Sequence, residues 1–151
     1  LSVLDNDKIR SIATVESSDL IKVSVAENAI FPLHAGAASK LLICQLSESK
    51  LNKLLIKTLP KYTDNTITDR EKLKEELLKI NIQKVSYDNM EHSKNIKAVA
   101  VPILDKKNRI IAAISCPCFP DDLTDEKSKF LVKEMQKTCE EISKRLEYFI
   151  N

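Results

Sequence analysis

A chain of 151 residues, 43% hydrophobic and 30% charged, has the size and composition of one globular domain with a substantial core, which excludes a disordered segment. Its 24 Lys and Arg against 22 Asp and Glu leave a net charge of +2, too small and too dispersed to imply nucleic acid or membrane as a partner of this segment. The longest apolar runs, 98–104 and 110–114, are strand-length and far short of a membrane span, and the first residues lead into a polar turn instead of a signal peptide. None of the four cysteines, Cys44, Cys116, Cys118 and Cys139, has the spacing of a secreted disulfide framework, so a reducing cytoplasm is the expected setting.

The chain opens without a Met, inside a strand pattern, which suggests a fragment of a longer protein. Residues 2–4 and 9–15 read as two strands around a turn at Asn6, and 20–25 as a third. Gly36 is the only glycine, so Asn and Asp must supply the other turns. Residues 34–46 read as an Ala-rich helix, and Ser47 is the N-cap of a second. After a polar loop at 62–66, Thr68-Asp69-Arg70-Glu71 reads as a capping box, opening a helix with Leu73, Leu77 and Ile80 inside. Strands are expected at 85–88, 96–104 and 109–116, the last two joined by a turn at 105–108. Pro102 cannot donate to a ladder and belongs at an edge or bulge. Thr124 caps a long last helix with Phe130, Leu131, Met135, Cys139, Ile142 and Leu146 as its apolar stripe. Strands at both ends with helices between define an α+β domain over 1–151: an antiparallel sheet of about five or six strands, flanked by helices.

Catalytic signals are weak. The only histidines are His34 and His92, and nothing in the sequence sets either beside Cys116 or Cys118 as a nucleophile–base pair would require. Cys116-x-Cys118 lacks both the spacing and the second pair of a zinc site. Phosphate-loop, Rossmann and HExxH motifs are absent, so no catalytic, metal or cofactor site is assigned. The segment 32–40 is more informative. Its small residues Gly36, Ala37 and Ala38 leave the first N–H groups of a helix approachable, at the end that carries partial positive charge. Such an end accepts carboxylates without a basic side chain; small residues also let a helix pack closely on a sheet, and both readings stand.

The same segment carries a resemblance. The chain resembles the effector-binding domain of IclR-type bacterial transcription regulators, whose Pro-Leu-His-Ala-x-x-x-Gly-Lys run is matched by Pro32, Leu33, His34, Ala35 and Lys40. A Thr-rich segment follows at Thr63, Thr66, Thr68 and Asp69, an acidic loop at Asp88, Asn89 and Glu91, and strand motifs at 100–102 and 112–115. An approximate Leu-Thr-x-Glu helix entry lies at 123–126. In order, these span about 2–148.

The resemblance implies a GAF-like fold and a pocket for a small, often carboxylate-bearing effector. It also implies an N-terminal winged helix-turn-helix domain absent from this chain, through which DNA would be bound, and a homo-oligomer, dimer or tetramer. The implied effector contacts are the N–H groups around Gly36, Ala37 and Ala38, the Asp88 carboxyl and the Ser115 hydroxyl, with apolar walls from Leu20, Val23, Ile96 and Ala98. The chain departs from the pattern at Ser39, where a glycine is usual, at Lys84, and at Pro117, Cys118 and Phe119, where a second hydroxyl and a Gly-Pro are lost. These changes imply a retuned, less polar pocket. The alternative is a dimerisation or protein-interaction module with a non-functional pocket.

Overall fold

The computed structural model describes residues 1–55 and 58–149. Its strands are β1 (Ser2–Asp5), β2 (Lys8–Ser11), β3 (Ile30–Phe31), β4 (Ser86–Asn89), β5 (Lys97–Leu104) and β6 (Ile110–Cys118). Its helices are α1 (Ala37–Ile43), α2 (Glu48–Leu54), α3 (Arg70–Gln83) and α4 (Asp125–Phe149). The strands form one antiparallel sheet in the order β3-β2-β1-β6-β5-β4, so the α+β expectation holds.

Local chemistry explains the turns. Four of the six non-glycine residues at positive φ among the described residues are Asn6, Asp7, Asn28 and Asn108. Asn6 and Asp7, at φ 46° and 63°, close β1 onto β2 through the two-residue turn that matches strand twist. Ser47 accepts a hydrogen bond from the Lys50 N–H at 3.3 Å, and Thr124 one from the Lys127 N–H at 3.2 Å, as N-caps should. The cap of α3 is Asp69, one residue later than the Thr68 reading, its carboxylate accepting from the Lys72 N–H at 2.9 Å. Pro102 lies two residues past Ala100, the last β5 residue that β4 reaches, so its missing N–H falls on a stretch left unpaired on that side.

Side-chain alternation along β5 divides the core into two layers. Ala98 and Ala100 face α1–α3, where Leu41, Leu42, Ile43, Leu73, Leu77 and Ile80 are buried. Val99, Val101 and Ile103 face α4, against Leu131, Val132, Met135, Cys139, Ile142 and Leu146. Each fully buried Leu or Ile stabilises by about 1.5–3 kcal/mol. A bulge at Ile111, between the pairs Leu104–Ile110 and Ile103–Ala112, resets the phase of β6. From there Ala113 and Ser115 face the α1 side.

Four expectations need correction. The strand read over 20–25 does not form: residues 12–29 make an irregular excursion between β2 and β3, and Leu20 is 99% exposed. The strand expected over 9–15 ends at Ser11, beyond which the Ile12 and Ala13 N–H groups both point to the Leu1 carbonyl, at 2.8 and 3.5 Å, instead of continuing a ladder. Helix α1 starts at Ala37, not at 34, since Gly36 adopts φ 104° and ψ 145°, incompatible with a helical turn. Phe130 is 61% exposed and lies off the α4 stripe, whose place is taken by Leu131 and Val132.

Candidate functional site

A cavity of about 520 Å³ opens on the α1 side of the sheet, near the C-terminal end of β6. Ser2 and Ser11 of the β1–β2 pair, Ala98 of β5 and Ser115 of β6 line it from the sheet. Gly36, Ala37, Ala38 and Ser39 border it from the start of α1, and Asp88, His92 and Ile96 from β4 and the loop after it. Residues 13–25 contribute a further wall, including Ile21 and Val23, and the cavity is also bordered by 116–119, Asp122, Lys127 and Leu131. Of the nine residues expected at the site, Gly36, Ala37, Ala38, Asp88, Ser115, Val23, Ile96 and Ala98 therefore border one cavity. Leu20 does not, because its segment is not a strand and turns it outward.

Gly36 sets how α1 meets the cavity. Its positive φ suits glycine, and a Cβ there would meet only Ser39 Oγ, at 3.6 Å. The strain of a side chain is therefore conformational and not steric. Gly36→Ala should cost about 1–3 kcal/mol of stability, read as a lowered urea midpoint with unchanged slope. A midpoint equal to wild type would mean that the backbone relaxes freely at this cap.

Asp88 faces the cavity from β4, paired in register with Ala98, and is buried. Its Oδ1 accepts the Glu91 N–H at 2.7 Å, so the carboxylate also shapes its own turn. Burial pushes the Asp88 carboxyl above its usual range, against the pull of that N–H and of Lys40.

Behind Asp88 lies a buried ion pair. Lys40, fully buried on α1, donates to Glu91 Oε1 at 2.6 Å and approaches Glu76 Oε1 at 3.4 Å. Glu91 Oε2 is buried without a hydrogen-bond partner among the described residues, and burial raises the Glu91 carboxyl despite Lys40. The hydroxyls of Thr63 and Thr66 donate to the Met90 and Glu91 carbonyls, each at 2.6 Å, and hold the loop that presents Glu91. The segments 32–40, 63–69 and 88–91 thus converge on one strut between α1 and the end of β4.

His34 is buried, its Nε2–H donating to the Pro60 carbonyl at 2.8 Å, and burial lowers its basicity. It packs a loop and reaches no cysteine. Sequence reasoning missed several cavity residues: His92, set edge-on to Phe31 and Tyr62, the buried serines Ser2 and Ser11, and Cys116 and Cys118 at the end of β6. Small polar residues in short strands are the one signal that could have pointed to the serines. Among the described residues no helix is long and apolar enough to cross a membrane.

The fold is that of the C-terminal domain of IclR-type regulators. The chain belongs to the IclR C-terminal family of bacterial transcriptional regulators, whose family model matches residues 1–144. It is 32% identical over 130 residues to the transcriptional repressor IclR of Escherichia coli, covering 84% of this chain and 47% of the repressor. The crystal structure of Thermotoga maritima IclR superposes with a TM-score of 0.87 at 30% identity, over 97% of this chain and 60% of that one. The inducer-binding domain of the PobR transcription factor from Acinetobacter, solved as a double mutant with 3-hydroxybenzoic acid, shares the fold at 22% identity, with a TM-score of 0.75. It matches 97% of this chain and 85% of its own. The chain spans about half the length of the curated relatives it matches. Those relatives are named as transcriptional regulators, and the family is not one of enzymes.

Proposed function

We propose that this domain senses a small organic acid, bound between the sheet and α1, in the cytoplasm. The observation that carries the reading is the cavity itself, where the open start of α1, a buried carboxyl and a strand hydroxyl converge. The effector's carboxylate meets the N–H groups around Gly36, Ala37 and Ala38, which have no helical partner of their own. Asp88 and Ser115 engage its polar end, and Val23, Ile96 and Ala98 enclose its apolar body. The hydroxybenzoic acid held by the PobR inducer-binding domain is a ligand of the same class.

Binding shifts the domain between two states by its differential affinity for them, and self-association passes the shift to N-terminal winged helix-turn-helix domains that bind DNA. Thermal shift against keto-, hydroxy- and aromatic acids tests this. A ligand at about 100 times its Kd adds roughly 2.7 kcal/mol. Ser115→Ala should weaken a genuine hit by about 2- to 12-fold, the value of one hydrogen bond. Silence across the panel from folded protein, or a hit indifferent to Ser115→Ala, overturns the reading.

A second reading, an interaction module with a non-functional pocket, is favoured by one observation. Val15, Leu20 and Ile21 are exposed apolar side chains on the excursion that borders the cavity. That reading predicts concentration-dependent association, weakened by Leu20→Ser, from a domain that no acid stabilises.

A further inference from the structure

Cys116 and Cys118 stand at the end of β6, two residues apart and so on one face of the strand, the α4 face that Cys116 shares with its register partner Val99, and both residues border the cavity. Their sulfurs are 3.9 Å apart, and the hydrogen-bond acceptors within reach of Cys118 are the Cys116 sulfur and carbonyl. Both thiols are partly exposed, unlike Cys44 and Cys139. Pro117 between them restrains φ, and the strand is paired through Lys97–Cys118 and Val99–Cys116, so the dithiol is held on a rigid element.

We propose that Cys116 and Cys118 form a two-thiolate site for a soft monovalent cation of the Cu(I) type. Metal–sulfur bonds of about 2.3 Å let two thiolates share one ion at separations up to about 4.6 Å, and sulfurs 3.9 Å apart fall inside that range. A disulfide asks for more. Its sulfurs must close to about 2.05 Å with Cα atoms within about 6.8 Å, near the limit for residues two apart in an extended strand. The ligand set decides the metal. No group of three or more His, Cys, Asp or Glu surrounds one point among the described residues, so zinc, which takes four ligands, is not served. Thiolate pairs select Cu(I), which is content with few soft ligands. Binding forms two Cu–S bonds and releases the two thiol protons to solvent; copper enters and stays as Cu(I), and nothing is oxidised or reduced. The two thiols lie on the face of β6 opposite Ser115, and the site does not depend on an acid binding in the cavity.

The test is anaerobic titration of the folded domain with Cu(I) in competition with bicinchoninate. One Cu(I) per chain should be withdrawn from the chelator. Cys116→Ser and Cys118→Ser should each weaken binding by more than the roughly 100-fold to which outer-shell changes are limited. Cys44→Ser should leave it unchanged. Equal retention by the Cys116→Ser/Cys118→Ser double variant would overturn the site, as would failure of a domain with native circular dichroism to compete. Formation of a Cys116–Cys118 disulfide, with loss of two hydrogens in the mass spectrum, in place of copper retention would overturn it too. An acid-binding result from the thermal-shift panel bears on neither outcome.

Discussion

Replacing Lys40 with Ala should destabilise the domain by about 3–5 kcal/mol, because it leaves the Glu91 carboxylate buried without its counter-charge. For a chain of this size that is a fall in Tm of roughly 6–20 °C. The sign of the pH dependence follows from Glu91. Burial already favours its neutral form, and loss of Lys40 removes the chief opposing influence, so Glu91 takes up a proton more readily in the variant. The deficit of Lys40→Ala should therefore narrow as the pH is lowered. A second change separates lost charge pairing from lost packing. Lys40→Met with Glu91→Leu removes both buried charges while filling both volumes, and should recover most of the stability. A Lys40→Ala variant within about 1 kcal/mol of wild type at neutral pH would show that water reaches this pair in solution. The strut also positions the Asp88 turn through the Glu91 N–H, so acid binding should weaken in the same variant.

Leu41→Ala is expected to cost about 2–5 kcal/mol, since Leu41 is fully buried where α1 sits on β5 and β6. The spread reflects how far the site collapses around the lost methyl groups. Chemical denaturation followed by circular dichroism measures it, and a loss below about 1 kcal/mol would mean that α1 is not seated as the structure has it. The consequence for function is indirect. Helix α1 has seven residues and few interactions of its own to hold it, so its place over the cavity rests on Leu41, Leu42 and Ile43. Leu41→Met, which roughly conserves volume, should lose less than about 1.5 kcal/mol and keep acid binding.

Much of this protein was legible in its residues, and the legible parts share one property: a signal confined to a few neighbouring positions. The Asn6-Asp7 turn, the Ser47 and Thr124 caps, and the Leu73–Leu77–Ile80 face of α3 were all readable because local sterics and capping decide them. The family resemblance extended this reach, and the residues it named around Gly36, Asp88 and Ser115 lie on three elements that meet at one cavity.

What failed needed a partner. Alternating apolar residues over 20–25 look like a strand, but a strand forms only against a neighbour, and β2 already has β1 and β3 on its two sides. The excursion leaves Leu20 in solvent and turns Val23 to the cavity, a difference no periodicity encodes. Lys40 is the sharper case. A lysine in a helix is by default a solvated group, and only the arrival of Glu91, 51 residues later in the chain and across the fold, makes its full burial tolerable. Turns, caps and helix faces were therefore determined by the sequence by itself, through interactions within a few residues. The cavity, the buried ion pair and the approach of two thiols at the end of β6 were decided by the tertiary structure, because their energies depend on distance and burial that only the assembled layers create.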